Sequence, residues 1–181
     1  PGLEANVQTI SQNIPSDYEK YNYMVGIGMT MESLERCPMI YEMLWDMAWT
    51  KDPIDPMEWG KKYLERSYGK VNEELMQAWS IMLNTIYDNR QNDVAESLTN
   101  ARPTENFSST SSWGRGTINY DTKEFEKVLK IYIDNYEEFK DSDRYIYDMA
   151  DITRQVLSNS SINYHKLMMD AYRAKDINLF D

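Results

Sequence analysis

The chain has 181 residues with 19 Lys+Arg, 30 Asp+Glu and one His, a net charge of −11 and a pI near 4.6. That surplus of acid excludes the basic stripe of a nucleic-acid surface. A single Cys and a single His exclude an internal disulfide and a His- or Cys-built zinc site, leaving only an all-carboxylate metal site open. The length suits one domain, or one domain with a small appendage, and is enough to bury a core.

No run of 18 apolar residues spans a membrane. The start, Pro1-Gly2-Leu3-Glu4, has no initiator Met and no signal-peptide pattern, so it reads as an interior piece of a longer protein and leaves the compartment open. Residues 1–16 are polar with scattered apolar positions and read as loop or a short helical piece. Tyr23-Met24-Val25-Gly26 is the one candidate strand, closed by the glycines Gly26 and Gly28. A helix is expected next, because Ile40, Met43, Leu44, Met47 and Ala48 recur at i, i+3, i+4, i+7 and i+8. After Pro53, Asp55-Pro56-Met57-Glu58 is a helix start: a capping acid, Pro at the first helical position and Glu in a capping-box place. Gly69 is placed to end that helix.

Val71, Leu75, Ala78, Trp79, Met82, Leu83 and Ile86 form the cleanest amphipathic stripe. More than thirty residues of weak periodicity follow, between a helix ending near Tyr87 and another starting near Thr122. A segment that long in a compact domain is either functional or disordered. Trp113, Ile118 and Tyr120 favour docking onto something over disorder. Asp121 to Glu124 is a second capping box, leading into Phe125, Val128, Leu129, Tyr132, Tyr136 and Phe139. Ser142-Asp143 opens a last helical stretch carrying Tyr145, Met149, Ile152, Val156 and Leu157, expected to reach about Ala174 and to be weakest at Ser158-Asn159-Ser160-Ser161.

Glu32 is the most suggestive acid. It follows the strand-like run and the Gly26-Ile27-Gly28 turn and precedes an amphipathic helix, where α/β barrels place catalytic side chains. A Glu near a helix start also simply favours the helix dipole, and spacing alone leaves both readings open. Asp151 and Arg154 are an i, i+3 pair, for which a charge-assisted helix contact suffices. Trp45, Trp49, Trp59 and Trp79 are expected in the helical core, His165 on a solvated face, and Cys37 as a small buried residue near a helix start. Asn106-Phe107-Ser108 and Asn159-Ser160-Ser161 fit the N-glycosylation pattern, a short motif common by chance.

Three ordered segments resemble the alpha-N-acetylglucosaminidases, glycoside hydrolase family 89. Gly26-Ile27-Gly28-Met29-Thr30-Met31-Glu32 is similar to the family's Gly-x-Gly-Met-x-x-Glu segment. Ile40 to Trp49, followed by Lys51-Asp52-Pro53, resembles the helix and turn after it. Tyr145-Ile146-Tyr147-Asp148-Met149-Ala150-Asp151-Ile152-Thr153-Arg154-Gln155 resembles the family's Tyr-Asp-Leu-x-Asp-Leu-Thr-Arg-Gln helix, and Arg102-Pro103 is a weaker fourth match.

The resemblance implies a mainly α chain: residues 1–52 as the end of a catalytic (β/α)8 barrel, with its last strand and following helix, and residues 53–181 as an all-α, bundle-like C-terminal domain. It implies an exo-acting glycosidase that removes terminal α-linked N-acetylglucosamine with retention. Retention needs two carboxyl groups roughly 5–5.5 Å apart. By the motif match Glu32 falls on the nucleophile, and the acid/base lies on an earlier strand outside this chain. Trp113 and Tyr120 are the expected substrate contacts, since the C–H face of a sugar stacks on aromatic rings. The alternative for this pair is that both only anchor the loop.

No cofactor or metal is expected. The expected partners are a glycan ending in α-linked N-acetylglucosamine and the N-terminal part of the same enzyme, with no nucleic acid and no membrane span. An extracellular, periplasmic or lysosome-like compartment follows by family analogy alone. The rival reading is a non-catalytic helical module that binds a glycan or a protein.

Overall fold

A computed structural model describes residues 3–30, 37–89, 98, 104–105 and 116–180. Among them the elements are helical: α1 (Val7–Lys20), α2 (Pro38–Met47), α3 (Pro56–Tyr68), α4 (Glu73–Leu83), α5 (Thr122–Asp134), α6 (Tyr136–Phe139), α7 (Asp143–Ala174) and α8 (Ile177–Phe180). The mainly α class expected from the sequence holds.

Helix starts follow from local hydrogen bonding. Side-chain oxygens of Asn6, Asp55, Asn72, Asp121 and Ser142 accept from backbone N–H groups of the first turns of α1, α3, α4, α5 and α7. Pro56 opens α3, and Gly69, at φ +82°, closes it in the left-handed conformation that costs glycine nothing. The serine-rich stretch 158–161 does not interrupt α7, which runs unbroken for 32 residues. Of the two readings for residues 1–16, loop or a short helical piece, the helical one holds: the region contains most of α1, with Pro15 inside it.

Pro15 explains how α1 is docked. A helical proline has no N–H to bond the carbonyl four residues back. That carbonyl, on the fully buried Ser11, instead accepts from the Ile54 N–H at 3.2 Å. The Gln12 amide donates to the Ile54 carbonyl at 2.8 Å, so the turn between α2 and α3 is held from both sides.

The core lies among α3, α4, α5 and α7: α4 packs on α5, α5 on α7, and α3 on both α4 and α7. Tyr68, Tyr132, Phe139 and Tyr145 form one aromatic group, with Tyr132 and Tyr145 stacked at 5.1 Å and Tyr68 edge-on to Tyr145 at 5.3 Å. Trp59, Tyr63 and Trp79 form a second, with Trp59 and Tyr63 stacked at 5.1 Å. The pair α1–α2 attaches beside α3. Met39, Met43 and Met47, one helical turn apart, supply its buried face.

The N-terminal residues run alongside the chain after α4: Ala5 N–H donates to Ile86 O at 3.0 Å, Val7 N–H to Tyr87 O at 3.1 Å, and Asn89 N–H to Ala5 O at 2.9 Å.

Two expectations are corrected. Trp59 and Trp79 are buried, but Trp45 is 49 % exposed, since the buried face of α2 is its methionine row, and Trp49, beyond the end of that helix, is 91 % exposed. The strand expected at 23–26 carries no ladder among the described residues, and Val25 is fully exposed. A parallel barrel strand takes its hydrogen bonds from strands on both flanks, and the described residues offer none.

Candidate functional site

Of the residues singled out for the sugar site, Glu32 and Trp113 lie outside the described residues, as do Arg102-Pro103 and Asn106-Phe107-Ser108. Tyr120 is described. It stands two residues before α5, half-buried, with its ring edge-on to Phe125 at 5.9 Å. Its hydroxyl reaches α7, donating to Asn159 Oδ1 at 3.1 Å and accepting from Asn159 Nδ2 at 3.0 Å. Gln155 Nε2 donates to Asn159 Oδ1 at 2.9 Å and approaches the same hydroxyl at 3.4 Å. Gln155 Oε1 accepts from the Leu3 N–H at 3.2 Å. One chain of hydrogen bonds therefore joins the entry to α5, the middle of α7 and the N-terminal run.

Gln155 and Asn159 are buried, and sequence reasoning missed both as a pair. A signal was present: Tyr145, Asp148, Ile152, Gln155 and Asn159 recur at three- and four-residue intervals, so two amides fall on the inward stripe of α7. Burial also removes Asn159 from the candidate glycosylation positions, since its amide is enclosed and already bonded.

A second polar cluster lies between α3, α5 and α7. Arg144 pairs with Asp148 at 3.1 Å and donates to the Tyr63 hydroxyl at 2.7 Å. The Tyr68 hydroxyl donates to Asp148 at 2.7 Å and lies 2.8 Å from the Tyr132 hydroxyl. The Tyr145 hydroxyl donates to the Tyr132 carbonyl.

Burial pushes the Asp148 carboxyl above the usual carboxylate range, against the pull of Arg144 and Tyr68 toward its ionised form. Burial likewise raises Tyr63, Tyr68, Tyr87 and Tyr132, so these phenols stay protonated. The cavity they border, shared with Leu3 and Cys37, measures about 20 Å³. That is room for a water and far too little for a sugar ring, so the cluster acts as scaffold.

The remaining candidates resolve simply. Arg154 Nε and Nη2 meet Asp151 Oδ1 at 2.7 and 2.6 Å, the helix contact expected from their spacing, while Asp148 turns to Arg144 instead. Cys37 is buried, and burial pushes its thiol up to about 12, which makes it inert. It precedes Pro38 at a left-handed φ of +45°. His165 is half-buried, with Nε2 2.9 Å from the Thr104 carbonyl. Among the described residues no group of His, Cys, Asp or Glu is arranged to hold a metal ion. No helix among them is long and apolar enough to cross a membrane.

Residues 59–181 match the model of the alpha-N-acetylglucosaminidase C-terminal domain, and residues 1–51 match that of the family's TIM-barrel domain. The chain belongs to the alpha-N-acetylglucosaminidase family.

Human alpha-N-acetylglucosaminidase is 24% identical over 159 residues, 85% of this chain and 20% of that protein. A family 89 glycoside hydrolase from Clostridium perfringens, in complex with 2-acetamido-1,2-dideoxynojirmycin, superposes with a TM-score of 0.95 at 43% identity, covering 99% of this chain and 21% of that one. A second structure described in the same words, in complex with PUGNAc, gives a TM-score of 0.94 at 44% identity with the same coverage. A form from the same organism with two glutamates replaced by glutamine, in complex with its substrate GlcNAc-alpha-1,4-galactose, gives 0.94 at 43%, covering 99% of this chain and 20% of that one. The chain spans about a fifth of the length of these relatives.

Proposed function

We propose that this chain forms part of an exo-acting, retaining alpha-N-acetylglucosaminidase. The observation that carries the reading is likeness over the whole chain: 43% identity across 99% of it to a family 89 glycoside hydrolase. Residues 1–52 then close the catalytic barrel and residues 53–181 form the helical domain. The substrate class is a glycan ending in α-linked N-acetylglucosamine; the Clostridium perfringens protein was captured with one such disaccharide.

In this reading Glu32 is the nucleophile and attacks the anomeric carbon, forming a covalent glycosyl-enzyme. A second carboxyl group, supplied from outside these 181 residues, protonates the leaving oxygen and then activates the water that releases the sugar. The capture of a form with two glutamates replaced by glutamine together with its substrate supports a mechanism built on two glutamates. Trp113 and Tyr120 supply apolar faces for the sugar ring. The 181 residues alone are inactive for want of the proton donor. The enzyme works in an extracellular, periplasmic or lysosome-like compartment, where such glycans are met.

The test is an aryl α-N-acetylglucosaminide assay on the full-length enzyme carrying Glu32→Gln, joined to proton NMR of the first anomer released by the unaltered enzyme. Glu32→Gln is expected to fold and to lose nearly all hydrolysis, and the α-anomer is expected first. Turnover near the unaltered level removes Glu32 from the mechanism, and a first-formed β-anomer removes the double displacement.

A further inference from the structure

We propose that Gln155 and Asn159 are positioning residues that set the Tyr120 ring for the sugar, by latching the entry of α5 to the N-terminal run; this rests on the glycosidase reading above. Two buried primary amides on the packed face of α7 are unfavourable unless their donors and acceptors are met, and a Leu or Met at each place would pack the helix at lower cost. Here the amides are spent on long-range partners. Gln155 holds the Leu3 N–H, 152 residues away in sequence, and hands its own N–H to Asn159. Asn159 brackets the Tyr120 hydroxyl, 39 residues away.

Leu3 lies in the part matched to the barrel, whereas Tyr120, Gln155 and Asn159 lie in the part matched to the helical domain. The relay thus ties Tyr120 to the N-terminal run across the two matched parts. Tyr120 is held at two points, the hydroxyl in the amide pair and the ring edge on Phe125, while part of it remains accessible. A ring so held loses little freedom when a sugar stacks on it, so the latch acts on substrate affinity more than on the chemical step.

The experiment uses the full-length enzyme and an aryl α-N-acetylglucosaminide, measuring KM and kcat for Asn159→Leu, Tyr120→Phe and the double variant, with thermal unfolding of each. Tyr120→Phe keeps the ring and removes only the hydroxyl, so it decides the matter if Asn159→Leu does not fold. The expected result is a KM raised about fivefold or more with kcat within about twofold, and a double variant no worse than either single one. A KM within about twofold of the unaltered enzyme in the folded single variants, or effects that multiply in the double variant, overturns the latch. Loss of kcat in step with loss of folded protein, KM unchanged, also overturns it, because that is the signature of a purely structural role. Glu32→Gln run beside them separates the two ideas: full turnover there defeats the glycosidase mechanism, whereas an inactive Glu32→Gln with an unmoved KM in Tyr120→Phe defeats only the latch.

Discussion

Gly60 sits in the second turn of α3, where helix propensity alone predicts that Ala would stabilise by about 1 kcal/mol. The tertiary structure reverses that sign. A Cβ at Gly60 would lie 2.0 Å from Trp79 Nε1, 2.1 Å from Cε2 and 2.7 Å from Cδ1. Carbon atoms in contact sit roughly 3.5–4.0 Å apart, so the indole or the helix has to retreat by about 1.5 Å. Trp79 has little room to do so. It is 1 % exposed, packed against Trp59 and Tyr63, and its Nε1–H donates at 3.0 Å to the carbonyl of Pro56, one turn before Gly60 in the same helix.

Overpacking costs roughly 1–3 kcal/mol and a buried donor deprived of its acceptor about 1–3 more. After the propensity gain, Gly60→Ala is expected to destabilise by about 3 kcal/mol, a fall in Tm on the order of 10 °C for a chain of this size. Urea unfolding and a thermal melt measure it. In a Trp79→Ala background, where the whole indole is gone, the same change is expected to cost less than about 1 kcal/mol. A Gly60→Ala variant as stable as the unaltered chain, or an equal cost in both backgrounds, refutes the argument.

Arg144→Met strips the partner from a largely buried carboxylate and is expected to cost about 3 kcal/mol at neutral pH. Because burial already raises Asp148, its folded form holds a proton more tightly than the unfolded chain does, so its own contribution to stability is fullest at low pH and is lost as pH rises through the raised value. Removing Arg144 raises that value further; the deficit is therefore expected to shrink from pH 7 toward pH 4 in urea titrations, and a pH-independent deficit speaks against it. For Cys37, with its thiol at about 12 against an ordinary 9.0, iodoacetamide at pH 8.5 is expected to leave the native thiol intact and to alkylate it in urea. The same shift makes stability fall as pH rises from roughly 9 toward 12, in company with the buried tyrosines, and Cys37→Ala is expected to flatten the first part of that decline. Alkylation of the native chain at the denatured rate would overturn this reading.

The boundaries at Asp55, Pro56, Gly69, Asp121 and Ser142 were legible from the residues because a cap is a contact between neighbours within about four positions, and its chemistry is written in the side chain itself. The stripes of α4 and α5 were legible for a related reason: period alone puts Leu75, Ala78, Trp79 and Met82, or Phe125, Val128 and Tyr132, on one face. The ordered motifs carried the family, since their order survives without knowledge of the fold.

Other features depend on what lies across from a residue. Nothing near Trp45 or Trp49 in the chain distinguishes them from Trp59 and Trp79; the methionine row of α2 took the inner face. Pro15 looks like a helix breaker until Ile54 is seen to fill the hydrogen bond it vacates. The glycine of α3 and the amides of α7 look like local faults, a weak helix former and polar residues on an inward stripe. Each becomes intelligible only through a partner many positions away: Trp79 for Gly60, Tyr120 and Leu3 for Asn159 and Gln155. Composition, caps and periodicity therefore told what kind of helical chain this is. Which side chains are enclosed, and which residue each enclosed polar group answers to, came from packing, because steric room and hydrogen-bond satisfaction are properties of atoms that meet in space, not of neighbours along the chain.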